Sequence, residues 1–296
     1  MLTINPKDTP QPTLHQYLLG SIGPRPIAFA STINENGLPN LSPFSFFNVF
    51  SSNPPILIFS PARRGRDNST KHTLQNAEKT RECVINIVNW NIVEQMSLAS
   101  AEYPNGVNEF IKSGLTPIAS EMVKPFRVKE SPVQMECKVN DIIALGNGGG
   151  AGNLIICEVV LMHINENILD VEGKISPQKI DQVARMGGSW YSRANKGLFE
   201  LPQPTRHLGI GFDQLPSDIL HSKILSGNDL AKLAGVEQLP DETSVNEFKL
   251  LDLAELFIEF ENDSVTLEQR LHALAKEFLN ANQLSEAWMT LLAFNN

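Results

Sequence analysis

Two runs, Val133 to Leu145 and Asn153 to Ile164, constrain the fold more than any other part of the chain. Each is dense in β-branched and other apolar residues, and the link between them is Gly146-Asn147-Gly148-Gly149-Gly150-Ala151-Gly152. Apolar runs of that kind bounded by turn residues read as strands, and a short glycine-rich link pairs them as an antiparallel hairpin. The link also satisfies Gly-x-Gly-x-x-Ala, with Asp170 placed where a dinucleotide fold puts its ribose-binding acid. A phosphate-binding glycine loop must open a helix, however, and Leu154-Ile155-Ile156-Cys157-Glu158-Val159-Val160 is a β-forming run with no cap before it. The glycines are therefore read as a hairpin tip and the chain as mainly β.

Ser21 to Asn76 carries the chemistry. Ile27 to Ile33 reads as a strand, Asn34-Glu35-Asn36-Gly37 as a turn, and Leu38 to Phe47 as its hairpin partner. Pro43 interrupts any central ladder, so Ser45-Phe46-Phe47-Asn48 is expected to bend away and leave amides unpaired. Such a bend offers apolar faces and donors to a flat heteroaromatic ring; its bland reading is an edge strand burying aromatics. Ser60, Arg63, Arg64, Arg66, Ser69, Thr70, Lys71 and Thr73 then fall in one short segment leading into a helix over Thr73 to Thr80, with Ser69 or Thr70 as its cap. A helix N-terminus flanked by lysine and hydroxyls holds a terminal phosphate through amides, dipole and charge together. A basic loop is more often merely solvated, but this one follows an apolar strand in a chain that is acidic as a whole.

These residues resemble the flavin reductase-like, FMN-binding split-barrel family, which includes flavoredoxin. The resemblance rests on Arg25-Pro26-Ile27, Ser31-Thr32, Gly37, Asn40 through Asn48, Ser52-Asn53-Pro54-Pro55, Lys71-His72-Thr73 with Asn76, and Met186-Gly187-Gly188 with Tyr191. It covers roughly residues 10 to 240, and the ordered set is more specific than any one motif. It implies a six-stranded antiparallel split barrel with flanking helices, binding FMN at a homodimer interface. Ser45, Phe46, Phe47 and Asn48 would line the isoalloxazine, and Ser60, Lys71 and Thr73 would hold the phosphate. Arg25, Ser31, Thr32, His72, Asn76, Gly187 and Tyr191 would complete the cofactor set. The family commonly carries an acid after the lysine, where this chain has His72.

Other classes are disfavoured. A net charge of −9, with no basic face outside the short loop, argues against nucleic acid. No apolar run reaches membrane-spanning length and residues 1 to 16 are too polar for a signal peptide, so a cytoplasmic protein is expected. Cys83, Cys137 and Cys157 each lie in an apolar strand-like run without metal or redox spacing and read as reduced core thiols. His15, His72, His163, His207, His221 and His272 form no ligand pair, so no metal site is expected.

The end of the chain changes character. Asp241 to Asn296 lacks Gly and Pro and holds 11 acidic against 3 basic residues, so 8 of the 9 net negative charges fall there. Leu267, Leu271, Leu274 and Phe278 form one helical stripe, Thr266-Leu267-Glu268-Gln269 resembles a capping box, and Ser285 to Phe294 repeats the pattern. That much Leu, Phe and Trp implies a helical appendage rather than a disordered tail. The domain reading is a barrel over 1 to 204 and an extension over 205 to 296, mostly helical from about 241.

Two functions follow. In the first, FMN takes a hydride from NADH or NADPH and passes electrons to a flavin, a ferric complex or a partner protein; no acid, base or nucleophile need be visible, and none is assigned. In the second, the same barrel is a non-catalytic electron carrier or sensor whose acidic helices dock a partner.

Overall fold

The computed structural model describes residues 1–201, 203–204 and 208–295, so His207 lies outside the described residues. Two compact units divide the chain, Met1–Phe199 and Glu200–Asn296. Residue 205, at which the sequence-based boundary falls, is also outside the described set.

In the first unit, helix α1 (Gln11–Ser21) precedes strands β1 (Ala28–Ile33), β2 (Pro39–Phe44), β3 (Phe47–Ser52) and β4 (Pro55–Phe59). Then come α2 (His72–Thr80), β5 (Glu82–Ile87), α3 (Val93–Ala99) and α4 (Glu109–Ser113). A short pair, β6 (Pro117–Ile118) and β7 (Arg127–Val128), leads to β8 (Val133–Ala144) and β9 (Asn153–Ile164). The unit closes with α5 (Pro177–Ile180), β10 (Val183–Arg185) and β11 (Tyr191–Arg193). The main sheet is antiparallel, in the order β2-β1-β5-β8-β9-β4-β3. The β8–β9 hairpin is the one expected from its composition, registered from Val133 opposite Ile164 to Ala144 opposite Asn153. The β1–β2 hairpin pairs Ala28 with Phe44 and Ile33 with Pro39.

The sheet has seven strands, not six, and it is not closed. The reason lies at β2. The chain breaks at Ser45–Phe46, giving β2 and β3 as separate end strands. Along the free edge of β2 the Leu41 amide donates to the Glu109 carboxylate, and Pro43, two residues on, has no N–H to offer. An edge so occupied has little left with which to pair β3. Interior side chains still meet across the gap, as Phe44 and Phe59 do with ring centroids 5.5 Å apart.

Alternation along β1 and β2 sorts side chains onto two cores. Ala28, Ala30 and Phe44 face an interior shared with Leu74 and Ala77 of α2 and the three cysteines. Phe29 and Leu41 face the other way, onto Met96 of α3 and Phe110 of α4. Ile92, Met96 and Ala99, at helical spacing, belong to the same second core. The cysteines are buried free thiols, Cys83 Sγ lying 3.7 Å from Cys157 Sγ. Contact with Cys83 and burial push the Cys137 and Cys157 thiols well up.

Some expectations are corrected by local hydrogen bonding. Ile168 to Val171, an apolar run after β9, adds no strand to the sheet: it is a 3-10 turn (Glu166–Ile168) followed by a single bridge from Leu169 to Ile175. Asn165 accepts from the Asn167 amide and Asp170 from those of Glu172 and Lys174, which diverts the backbone from a ladder. Helix α2 starts at His72 with Lys71 in the capping position and no side-chain cap. Ser69 instead donates to Asp67 at 2.6 Å, and Thr70 accepts from Gln75.

The second unit is helical: α6 (Ser217–Leu220), α7 (Gly227–Ala234), α8 (Glu242–Asp252), α9 (Ala254–Glu259), α10 (Ser264–Asn280) and α11 (Leu284–Leu292). Helix α10 begins two residues before Thr266, because Asp263 is the cap and accepts from the Thr266 amide at 3.0 Å. Trp288 is buried against α7 and donates to the Leu233 carbonyl at 3.2 Å. No helix among the described residues is long and apolar enough to cross a membrane.

Candidate functional site

The glycine tip and the basic loop are packing partners. Arg63 donates its amide to Ala151 and accepts from that of Gly150, at 2.8 and 2.9 Å, while Asn68 donates to the Asn147 carbonyl. A Cβ on Gly149 would meet Gly65 Cα at 3.0 Å, so this backbone approach admits only glycine. Ser60 lies under the same contact, its hydroxyl accepting from the Asn153 amide at 3.0 Å. The glycines thus serve the loop rather than a nucleotide.

Beyond that anchor the loop gathers its cations around one acid. Arg64 Nη1 donates to Ser69 Oγ and the Thr70 carbonyl at 3.0 and 2.9 Å, which fixes the guanidinium. Glu102, between α3 and α4, sits 3.0 Å from Arg64 Nε, 2.5 Å from Arg66 Nη2 and 3.8 Å from Lys71 Nζ. Burial and the neighbouring Arg64 charge lower the Lys71 pKa, and Glu102 works in the opposite direction. A half-buried ammonium in that field favours a further anion. Lys71, His72, Thr73 and Arg64 line one polar cleft at the start of α2, together with Asn40 and Glu109.

A buried network floors the cleft. Asn40 donates to Glu109 Oε1 at 2.9 Å and accepts from Thr73 at 2.8 Å and Thr32 at 3.4 Å. Asn76 donates to Thr32 Oγ1 at 3.0 Å. Sheet register places Thr32 opposite Asn40, and α2 packs over both, bringing Thr73 and Asn76 down onto them. Burial, with Glu109 only 4% exposed, raises the carboxyl's pKa against the bonds it accepts from Leu41 and Asn40. Thr32, Lys71, His72, Thr73 and Asn76 of the expected set therefore converge. Asn40, Glu102 and Glu109 had no assigned role in the sequence reading. The one signal for Glu109 was an acid at the start of an otherwise apolar helical turn, Glu109-Phe110-Ile111.

Other expected residues lie elsewhere. Ser31 is fully buried on the opposite face of β1 from Thr32, so the two do not share a site, and its Oγ has no partner. Arg25 is nearly sealed: its guanidinium donates to the carbonyls of Leu19, Ile22 and Met186 and to Ser45 Oγ. It ties α1 to the Met186 segment rather than presenting a free charge. Gly187 packs against Gly20 of α1, whose Cα a Gly187 Cβ would meet at 3.2 Å. Tyr191 carries Arg185 on its ring face at 4.6 Å.

The bend between β2 and β3 forms, but its backbone is less open than expected. The Phe46 carbonyl accepts from Ser60 N at 2.9 Å, and Asn48 turns its side chain to the Val49 amide. Phe47 leans on the interior core, whereas Phe46 is 41% exposed beside the His15 ring, 6.5 Å away. None of Ser45 to Asn48 lines the cleft that holds Lys71.

Fold and cleft define a class first: a mainly β protein built on an open seven-stranded antiparallel sheet, with a polar, cation-bearing cleft where α2 begins. Residues 20–175 match the flavin reductase like domain, and the chain belongs to that family. An uncharacterized protein from Aquifex aeolicus is 38% identical over 188 residues, 64% of this chain and 93% of that protein. Component B of nitrilotriacetate monooxygenase from Bacillus cereus superimposes with a TM-score of 0.64 at 32% identity, over 68% of this chain and 98% of its own. A 2-nitrobenzoate 2-nitroreductase from Pseudomonas fluorescens gives 0.62 at 26% identity, over 73% and 99%. The family places the chain in flavin-related redox chemistry, and the likenesses to a monooxygenase component and a nitroreductase agree with an oxidoreductase. Among the described residues no group of three or more His, Cys, Asp or Glu is placed to hold a metal.

Proposed function

We propose that this chain is an FMN-binding, NAD(P)H-dependent flavin reductase-like oxidoreductase acting in the cytoplasm as a homodimer. It delivers electrons to a flavin, a ferric complex or an acceptor protein. The observation that carries the reading is the cleft at α2. A lysine, an arginine held by Ser69 and Thr70, a histidine and a helix start without a side-chain cap form the donor set a phosphate ester requires. FMN, when bound, supplies hydride acceptance and release. The residues of the chain bind and orient it: Lys71 and Arg64 offer charge, and the Asn40–Glu109 network holds Thr73 and α2 at a fixed depth over the sheet. The Phe46 side chain and the β3 residues Val49 and Phe50, at 61% and 64% exposure, leave apolar surface beside the bend for a ring and a second copy.

The test is spectroscopic. Purified protein reconstituted with FMN should retain a flavin absorption spectrum, and anaerobic NADH or NADPH should bleach it. The acidic helical unit keeps a second reading alive, that of an electron carrier which docks a partner. A flavin spectrum unmoved by either nucleotide selects the carrier, and a chain that holds no flavin removes both.

A further inference from the structure

We propose that Glu102 is a built-in competitor of the flavin phosphate, occupying the cations that phosphate must use and so making the bound flavin exchangeable. The inference rests on the reading that the α2 cleft takes a phosphate-bearing flavin. Its basis is geometric. One carboxylate lies within 4 Å of Arg64, Arg66 and Lys71. Isolated surface ion pairs contribute little. Glu102 differs because its partners come from one loop that is itself pinned: Arg64 is bonded to Ser69 and Thr70 and is only 14% exposed. Three convergent donors around one oxyanion form a receptor for an oxyanion, filled here by a side chain.

Charge supports the same view. The groups facing Glu102 and its cations are Asp67, paired to Arg66, and His72 and Glu109, which line the cleft with Tyr103. Glu102 cancels part of the positive field that would draw a dianion in, and a phosphate entering the cleft gains the cations only by displacing it. The segment from Ser100 to Asn108 is turned by its own backbone bonds, Tyr103 N to the Ala101 carbonyl and Val107 N to that of Pro104. The segment thus has backbone bonds of its own besides the ion pairs of Glu102. A ligand binds more weakly by whatever its competitor contributes to the free state. The cleft is then suited to a flavin that arrives, is reduced and leaves.

The experiment compares wild type, Glu102→Gln and Glu102→Ala by fluorescence titration with FMN and with riboflavin, which lacks the phosphate. Circular dichroism establishes that each variant is folded. Both variants should bind FMN roughly tenfold more tightly, the equivalent of one charge-assisted contact, while riboflavin affinity stays the same. FMN affinity unchanged or reduced in both variants would overturn the proposal and make Glu102 an organiser of the loop. An equal gain for both flavins would also overturn it, since the phosphate would then play no part. Wild type that binds neither flavin would instead remove the underlying cofactor reading.

Discussion

Asn40 and Glu109 are 69 residues apart in sequence, yet the amide of one donates to the buried carboxylate of the other at 2.9 Å. Both ends of the Asn40 amide are engaged, because its oxygen accepts from Thr73 and Thr32. An asparagine at this point joins an edge strand, α4 and α2 in one polar knot. Asn40→Ala strands a buried carboxylate and a buried hydroxyl at once. An unsatisfied buried partner costs about 1 to 3 kcal/mol, so the variant should unfold at lower urea by that margin. A variant as stable as wild type would show that water replaces the amide and that the knot is not structural.

Glu109 itself gives a pH signature. Burial raises its carboxyl above the ordinary 4.5, so protons are held more tightly folded than unfolded. Its contribution to stability is therefore complete below the unfolded value and is lost as pH rises through the folded one. Glu109→Gln cannot titrate and gives up one accepted bond. Its melting temperature should lie below that of wild type in acid, and the deficit should narrow as pH rises towards neutrality. Parallel curves across that range would mean that Glu109 titrates normally in the fold.

Lys71 decides whether the cleft is a phosphate site. It is half-buried, it approaches Glu102 only to 3.8 Å, and it stands at the head of α2. Lys71→Ala should weaken FMN retention by roughly 1.5 to 3 kcal/mol, the worth of one charged contact, with riboflavin little affected. FMN held equally well by the variant would take Lys71 out of the site.

What the sequence disclosed, and what it hid, follows from range. The β8–β9 and β1–β2 hairpins were legible because strand composition and turn residues are local signals. So were the buried cysteines. The break at Ser45–Phe46 was visible only as an odd aromatic run; its consequence, an open seven-stranded sheet, depends on Glu109 capping a distant edge. Helix caps failed where neighbouring acids outcompeted the expected hydroxyls, Asp67 for Ser69 and Asp263 for Thr266. Of the residues that line the cleft, Lys71, His72 and Thr73 could be grouped from the sequence because they are consecutive, whereas Asn40, Glu102 and Glu109 meet them only through the fold. Ser31 and Thr32 show the converse, since adjacency in a strand puts neighbours on opposite faces.

A second buried acid offers a test independent of any ligand. Glu136 of β8 is fully buried and accepts from the amides of Glu121, Met122 and Val123 at 2.9, 2.6 and 3.2 Å. His163 Nε2 lies 2.7 Å away and Arg127 Nε 3.8 Å. Burial pushes the carboxyl up, but the Glu121 and Met122 amides and the His163 ring together hold it below its ordinary value. With the folded pKa depressed, the stabilisation is present above the unfolded value and is lost as pH falls through the folded one. Glu136→Gln turns an NH2 group towards amide donors and removes the charge. It should cost about 1.5 to 3 kcal/mol at neutral pH, the range for hydrogen bonds to a charged group. Because wild type forfeits the same stabilisation on protonation, the gap should close in acid, read from urea midpoints at several pH values. A gap that stays constant with pH would mean that the connection between β6 and β7 is held by shape rather than by the carboxylate.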